Sequence, residues 1–310
     1  MVKEENEKIC KSGFISIIGR PNAGKSTLLN SILSRKIAIT SDKPQTTRFR
    51  IAGIKNIDNN QLIFLDTPGI HRAQSKLNKY MVETAYRTYK SVDLILVLVD
   101  SDVKSEKHNE IIFQSLENIK TPKYLIINKI DLIKKDKLLP LIENYRQIGL
   151  RSKQGKDFWE EIIPISALQM DGIDFLINKI VEVLPEGPHL YPDDMTTDQS
   201  EKLFVSELIR EKAIDLTQQE VPYSIAVLVE SIRDGKNNVL VVDAVIYVER
   251  ESQKGIVIGK KGSLIKEIGT KAKIDIENWF GVKVYLTLFV KVKKEWSNKE
   301  YNLKELGYSL

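Results

Sequence analysis

Short, nearly unbroken apolar runs punctuate the first half of the chain: FISII at 14–18, QLIFL at 61–65, LILVLV at 94–99, YLII at 124–127 and IIPI at 162–165. Between them lie stretches long enough for helices, at 25–33, 77–89, 106–118, 137–148 and 173–183. Strands apolar on both faces must be covered on both faces, and strand–helix alternation is the pattern of a mostly parallel sheet sandwiched by helices. The first half is therefore expected to be a doubly wound α/β domain. The segment 49–57, which returns within a few residues to Gln61, is expected to form an antiparallel hairpin at its edge.

The pattern breaks over 185–200, where Pro185, Gly187, Pro188 and Pro192 interrupt EVLPEGPHLYPDDMTTDQS. A stretch that cannot continue a helix and offers little to bury reads as a boundary. Beyond it the pattern changes to a helix at 201–217, strands at 224–229 and 239–248, two helices around a glycine turn within 255–280, and a strand at 282–292. That is a small α+β domain. The organisation expected is an N-terminal extension at 1–12, an α/β domain at 13–184, a linker at 185–200 and a second domain with its C-terminal tail at 201–310.

Composition adds limits. The 310 residues carry 47 Lys+Arg against 42 Asp+Glu, a net +5, with 42% apolar positions, as an ordinary globular chain does. The charge is uneven, since residues 254–310 hold twelve lysines, no arginine and six carboxylates, a net +6 against −1 for the rest. A single cysteine, Cys10, has no partner in the chain and suits a reducing compartment. The opening MVKEENEKICK has no apolar core and does not read as a signal peptide, and no apolar run approaches the roughly 20 residues of a membrane helix.

The chemistry begins at GRPNAGKS, which follows the first strand and opens the first helix. Gly19, Arg20, Pro21, Asn22, Ala23 and Gly24 form a loop whose N–H groups, with the helix N-terminus, attract a phosphate chain. Lys25 is placed to meet the β- and γ-phosphates, Ser26 to ligate Mg²⁺, and Thr27 to follow in the helix. Asp66, Thr67, Pro68 and Gly69 close the second strand, where ligands of open α/β sheets collect. Asp66 there suits a carboxylate that holds Mg²⁺ through water, and the Gly69 N–H suits the γ-phosphate. Between the two motifs, KPQTTRFR at 43–50 is polar and irregular; a threonine there, Thr47 rather than Thr46, can close over the metal when a γ-phosphate is present.

The base follows from NKID, Asn128, Lys129, Ile130 and Asp131, and from SAL, Ser166, Ala167 and Leu168. A carboxylate at Asp131 accepts two hydrogen bonds from guanine N1–H and N2–H₂, where adenine offers a lone pair and no amine. At about 1.5–3 kcal/mol per charged hydrogen bond, guanine is preferred by about 3–6 kcal/mol. Asn128 is expected to buttress the loop, Lys129 to lie along the base plane and the Ala167 N–H to meet O6. Ras-type enzymes orient the attacking water with a Gln directly after DxxG, but here that position is Ile70. His71, beside it, reads as a loop residue rather than a base.

In the second domain, GIVIGKKGSLIKEIG places Gly259, Lys260, Lys261 and Gly262 between two apolar segments. In KH domains such a GxxG loop clamps a nucleic-acid backbone beside an apolar groove that takes unstacked bases. Lys260 and Lys261 would contact phosphates, and Ile256, Ile258, Ile265 and Ile268 would supply groove and core. A P-loop kinase or ATPase would share GRPNAGKS and DTPG without needing NKID and SAL. A membrane-trafficking GTPase would have no use for the lysine-rich glycine loop, and a protein-docking role for this module also stays open.

Taken together, GRPNAGKST, QTTR, DTPG, NKID and SAL, followed by VIGKKGSLIKEIG, FVKVKKEW and LGY, resemble the Era family of bacterial GTPases across nearly the whole chain. The resemblance implies a P-loop GTPase domain followed by a type-II KH domain. It also implies GTP/GDP and Mg²⁺ as ligands and hydrolysis of GTP to GDP and phosphate. Small-subunit ribosomal RNA near its 3′ end and the 30S subunit, whose assembly the family assists, are the partners implied. A cytoplasmic monomer associated peripherally with the inner face of the cell membrane is expected. In this reading Lys25, Asn22, Thr47 and Gly69 serve catalysis, Ser26, Thr47 and Asp66 the metal, and Ile70 is an ordinary family residue. Related GTPases with Asn at position 22 use it to ligate K⁺ in place of an arginine finger; here Asn22 either does so or only shapes the loop.

Overall fold

The computed structural model describes residues 10–69, 75–89, 91–102, 109–151 and 158–308, which fall into two compact units. The first comprises the described parts of Met1–Ile37, Thr47–His71 and Val82–Asp198. Its elements run β1 (Ser12–Gly19), α1 (Lys25–Leu33), β2 (Ile51–Ile57), β3 (Asn60–Asp66), α2 (Lys76–Tyr89), β4 (Leu94–Asp100), α3 (Glu110–Leu116), β5 (Lys123–Asn128), α4 (Lys135–Leu150), β6 (Glu161–Pro164) and α5 (Ile173–Val183). Helix α2 starts within a segment counted with the second unit.

The sheet order is β2-β3-β1-β4-β5-β6, parallel throughout except for the antiparallel β2–β3 hairpin at the edge. This is the doubly wound architecture expected. The apolar runs are its centre: Leu94 to Val99 and Leu125 to Ile127 are essentially inaccessible. On one face of the sheet Ile95, Val97, Val99, Leu125 and Ile127 pack with Phe113, Leu116, Leu141, Tyr145 and Trp159 from the covering elements. Helix α4 extends beyond the expected 137–148, while the beginning of the expected 106–118 helix, with His108, lies outside the described residues.

The proline-rich stretch finds more to bury than its sequence suggests. The Ile54 N–H donates to Thr196 O at 2.8 Å, and the buried Gln61 amide accepts from the Leu190 and Tyr191 N–H groups and donates to Tyr191 O. Tyr191 and Met195 pack on the cluster Ala52, Ile54, Ile63 and Leu65. Prolines do not prevent this, because the backbone groups that pair here belong to Leu190, Tyr191 and Thr196.

The second unit comprises Gln199–Leu310 with Ala38–Thr46 and the described part of Arg72–Met81. Its elements are α6 (Glu201–Leu216), α7 (Val221–Ser224), β7 (Ala226–Asp234), β8 (Val239–Val248), α8 (Glu251–Ile258), α9 (Ser263–Phe280), β9 (Lys283–Val292) and α10 (Glu300–Glu305). β8 pairs antiparallel with β7 and parallel with β9. One face of this sheet, Val242, Ala244, Ile246, Val248 and Val284, packs on Phe204, Val205, Leu208 and Ile209 of α6 and on Ile268, Ala272 and Ile276 of α9. The expected strand at 224–229 is displaced: Ser224 ends a helical turn that opens with Pro222 near its N-terminus, and β7 runs on to Asp234 past an irregularity between Val229 and Ser231.

The segment 38–46 is held along α6. The Thr40 N–H donates to Glu211 Oε1 at 2.9 Å, Ser41 Oγ donates to Asp215 Oδ1 at 2.7 Å, and Arg210 donates to Thr46 O at 2.5 Å. Lys43 Nζ donates to Ile214 O and Thr217 O, supplying donors that the C-terminal carbonyls of a helix otherwise lack. Among the described residues no helix is long and apolar enough to cross a membrane.

Candidate functional sites

β1 delivers the chain into the loop 20–24, and α1 starts at Lys25 with no acidic residue in its first turn to repel an anion. Gly24 has φ +93°, and a Cβ there would lie 2.3 Å from Asn128 Nδ2, so only glycine fits. Asn22 has φ 64°, a left-handed conformation that asparagine tolerates better than most residues. Lys25 is buried and folds back on its own loop, donating to Gly19 O at 3.2 Å and Arg20 O at 2.9 Å. Burial lowers its pKa to about 8, against the opposing pull of Asp66.

Asp66 ends β3 directly across from this loop. Ser26 Oγ donates to Asp66 Oδ2 at 2.7 Å, and Thr47 Oγ1 lies 2.9 Å from Ser26 Oγ. Thr46 is occupied elsewhere, donating to Lys43 O at 2.6 Å. Burial raises the Asp66 carboxyl to about 6, with the Lys25 charge and the Ser26 hydroxyl pulling the other way. Its Oδ1 is buried with no hydrogen-bond partner among the described residues. Three oxygens thus converge beside a buried ammonium, with one carboxylate lone-pair set still unused. Thr67 Oγ1 donates to Ile17 O at 3.1 Å, fixing the start of the next loop, and a Cβ on Gly69 would lie 2.9 Å from Pro21 N. That close approach places the Gly69 backbone against the phosphate loop. Ile70 and His71 lie outside the described residues.

The loops after β5 and β6 meet around Asn128. Its Oδ1 accepts from the Ala167 N–H at 3.0 Å and its Nδ2 donates to Ala23 O at 2.9 Å, so one buried amide ties together the first loop, NKID and SAL. Asp131 Oδ1 accepts from Ser166 Oγ at 2.5 Å, which orients the carboxylate. The Ile130 N–H donates to Ile165 O at 3.2 Å, and Leu168 is exposed beyond the bend. Two residues outside every motif support this cluster. Ser101, buried just past β4, donates through Oγ to Lys129 O at 2.8 Å, and Asp100 pairs with Lys129 Nζ at 2.6 Å. The one sequence signal for them is their position at the C-terminal end of a central strand.

In the second unit, α8 stops at Ile258 and α9 starts at Ser263, with Gly259 to Gly262 making the turn between them. Lys260 and Lys261 are exposed, and Lys261 has φ 51°. The turn opens beside a groove of about 330 Å³ lined by Ile265, Lys266, Gly269, Thr270, Lys273, Leu286 and Leu288. The four isoleucines separate: Ile268 is core, Ile265 lines the groove, Ile258 is half-buried and Ile256 is 46% exposed, because the residues of a helix end cannot all face one side.

A phosphate-binding loop, a metal-competent carboxylate and a base-edge carboxylate on one doubly wound sheet, followed by an α+β unit with a glycine turn beside an apolar groove, define a P-loop GTPase joined to a KH domain. Family models agree: one for a 50S ribosome-binding GTPase matches residues 14–129 and one for a KH domain matches 220–297. The chain is 52% identical to GTPase Era of Geotalea uraniireducens (strain Rf4) over 302 residues, 97% of this chain and 99% of that protein. It is 50% identical to GTPase Era of Syntrophus aciditrophicus (strain SB) over 300 residues, 96% and 95% of the two chains. The crystal structure of Era in complex with MgGDPNP and nucleotides 1506–1542 of 16S ribosomal RNA superposes with a TM-score of 0.92 at 42% identity, covering 97% of this chain and all of that one. A point variant of Aquifex aeolicus Era bound to GDP·AlF₄⁻ gives 0.91 at 41% identity with the same coverage. The chain belongs to the Era family of GTPases.

Proposed function

We propose that this chain is a GTP-hydrolysing switch that binds small-subunit ribosomal RNA near its 3′ end through its KH domain and assists assembly of the 30S subunit. The observation that carries the RNA half is the exposed Lys260–Lys261 turn that leads into α9, whose Ile265, Gly269 and Thr270 line a groove with Leu286 and Leu288 of β9. Its support comes from a chain 42% identical over 97% of this one that was crystallised with MgGDPNP and 16S nucleotides 1506–1542.

The nucleotide half rests on the residues already described. Lys25 and the N–H groups of 22–27 hold the phosphates, Asp131 and the Ala167 N–H read the guanine edge, and Asn128 keeps these loops in register. Mg²⁺ fits the oxygens of Ser26, Thr47 and Asp66, since the orphaned Asp66 Oδ1 is a buried acceptor in search of a cation. When bound, the ion supplies positive charge that offsets charge on the β- and γ-phosphate oxygens. Thr47 reports the γ-phosphate by whether it stays with Ser26, and the Gly69 N–H tracks the same group. With Ile70 where Ras-type enzymes have Gln, Asn22 would hold a K⁺ ion, which would supply positive charge to the phosphates in place of an arginine finger.

The protein acts as a cytoplasmic monomer that associates peripherally with the inner face of the membrane. Support for a surface attachment is the lysine-rich character of 254–310. The test of the main reading is binding of a fluorescent RNA copying the 3′ end of 16S rRNA to protein loaded with GDPNP or with GDP. Tighter binding in the GDPNP state than in the GDP state, and than to a scrambled RNA, is expected. Equal affinity for the scrambled RNA would overturn it.

A further inference from the structure

We propose that Asp100 is a positioning residue for the guanine site: it draws the Lys129 ammonium to the tip of β4 and so holds the lysine stem where it covers one face of the base. This rests on the guanine reading of NKID. That motif requires Lys129, and nothing in it requires Asp100.

The geometry begins with the backbone. Lys129 has φ 65° and ψ 36°, a left-handed conformation that carries a steric cost for a residue with a Cβ. Ser101 holds it there, donating its N–H to Asn128 O at 3.0 Å and its hydroxyl to Lys129 O at 2.8 Å. The left-handed turn directs the side chain back toward β4. There the parallel register sets Asp100 beside Asn128, one residue before the lysine. Asp100 cannot easily swing away, because its Oδ1 accepts from the Asp102 N–H at 3.0 Å while Oδ2 meets Lys129 Nζ at 2.6 Å. Each carboxylate oxygen therefore has its own partner, and the ammonium has one anchored destination. The Lys129 and Asp100 side chains are 32% and 25% exposed, so the pair is partly shielded from water yet still sensitive to salt.

A lysine stem that wanders among rotamers must be ordered each time a base arrives, and a stem already anchored is not. Asp100 thus acts on how long the nucleotide stays. It does not touch the base edge, so it leaves the choice between guanine and hypoxanthine to Asp131.

The test measures the dissociation rate of fluorescent N-methylanthraniloyl-GDP, together with the affinities for GDP and IDP, in wild type, Asp100→Asn, Asp100→Glu, Lys129→Met and the double variant Asp100→Asn/Lys129→Met. Asp100→Asn should speed dissociation roughly two- to fivefold, the range of a partly exposed ion pair, without changing the GDP-to-IDP affinity ratio. Asp100→Glu should restore most of the difference, and 1 M salt should shrink it. In the Lys129→Met background Asp100→Asn should add nothing. An unchanged rate in Asp100→Asn, an equal effect with Lys129 already gone, or a fallen GDP-to-IDP ratio would overturn the proposal. Failure of the wild type to bind GDP at all would instead remove the guanine reading beneath it.

Discussion

Ser26 Oγ donates to Asp66 Oδ2 at 2.7 Å, while Asp66 Oδ1 is buried with no partner among the described residues. The hydroxyl satisfies one oxygen of the carboxylate and leaves the other for a cation. Because burial raises this carboxyl to about 6, metal must displace a proton near that pH. Mg²⁺ tightening of GDP binding should be strong at pH 7.5 and weaken by up to about tenfold per pH unit below 6. Calorimetry at pH 6 in two buffers of different ionisation enthalpy should show proton release on metal binding. Asp66→Asn should retain GDP binding in EDTA and lose at least about tenfold of the tightening by Mg²⁺.

The same buried pair predicts a pH signature in the nucleotide-free protein. With the folded Asp66 raised from 3.8 to about 6, the folded state holds more protons than the unfolded state in that window. Stability from this group is full below pH 3.8 and is lost as pH rises through 6. Lys25, lowered from 10.5 to about 8, behaves oppositely: its contribution is full above pH 10.5 and is lost as pH falls through 8. Against wild type, Asp66→Asn should flatten the fall in Tm between pH 4 and 6, and Lys25→Met should flatten the rise between pH 8 and 10. Parallel Tm curves for wild type and both variants would show that neither charge is desolvated.

These relations show what a single chain discloses and what it conceals. GRPNAGKS, DTPG and NKID are legible because each is a local stretch whose backbone must do one thing, and each emerges at a strand end. The hairpin of β2 and β3 is legible from spacing alone. The Asp100–Lys129 pair is not, since it joins residues 29 apart whose proximity is created by the β4–β5 register. Nor does the sequence disclose that Lys43, which lies between α1 and β2 in the chain, belongs with the second unit and donates to the C-terminal carbonyls of α6. Long-range hydrogen bonds leave no periodicity behind. The start of β7 is hidden for a different reason: Pro222 opens a helical turn that the apolar pattern of 225–229 masks.

Potassium should matter to turnover if Asn22 helps to hold it. GTP hydrolysis by wild type should be faster in K⁺ than in Na⁺ at equal ionic strength, and Asn22→Ala should abolish the difference while still binding GTP. Equal rates in the two salts would leave Asn22, with its left-handed backbone, as a residue that shapes the loop.

The glycine turn of the second unit makes an electrostatic prediction. Replacing Lys260 and Lys261 together with Asp should weaken binding of single-stranded RNA across sequences. It should also reduce the slope of log affinity against log salt by about 0.7 for each phosphate no longer neutralised. GTP affinity should be unaltered. Wild-type RNA affinity in this variant, with unchanged circular dichroism, would move the RNA site away from the turn.

The most direct test of the account exchanges the base that Asp131 reads. Its carboxylate, oriented by Ser166 Oγ at 2.5 Å, is assigned to the N1–H and N2–H₂ donors of guanine. Asp131→Asn puts an amide donor opposite N2–H₂, and xanthine carries an acceptor oxygen at that position instead. Titrating GTP and XTP against both proteins should show wild type preferring GTP and Asp131→Asn preferring XTP, each by about 10²-fold or more. Unchanged GTP affinity in Asp131→Asn, with no gain for XTP, would contradict the guanine assignment on which the rest depends.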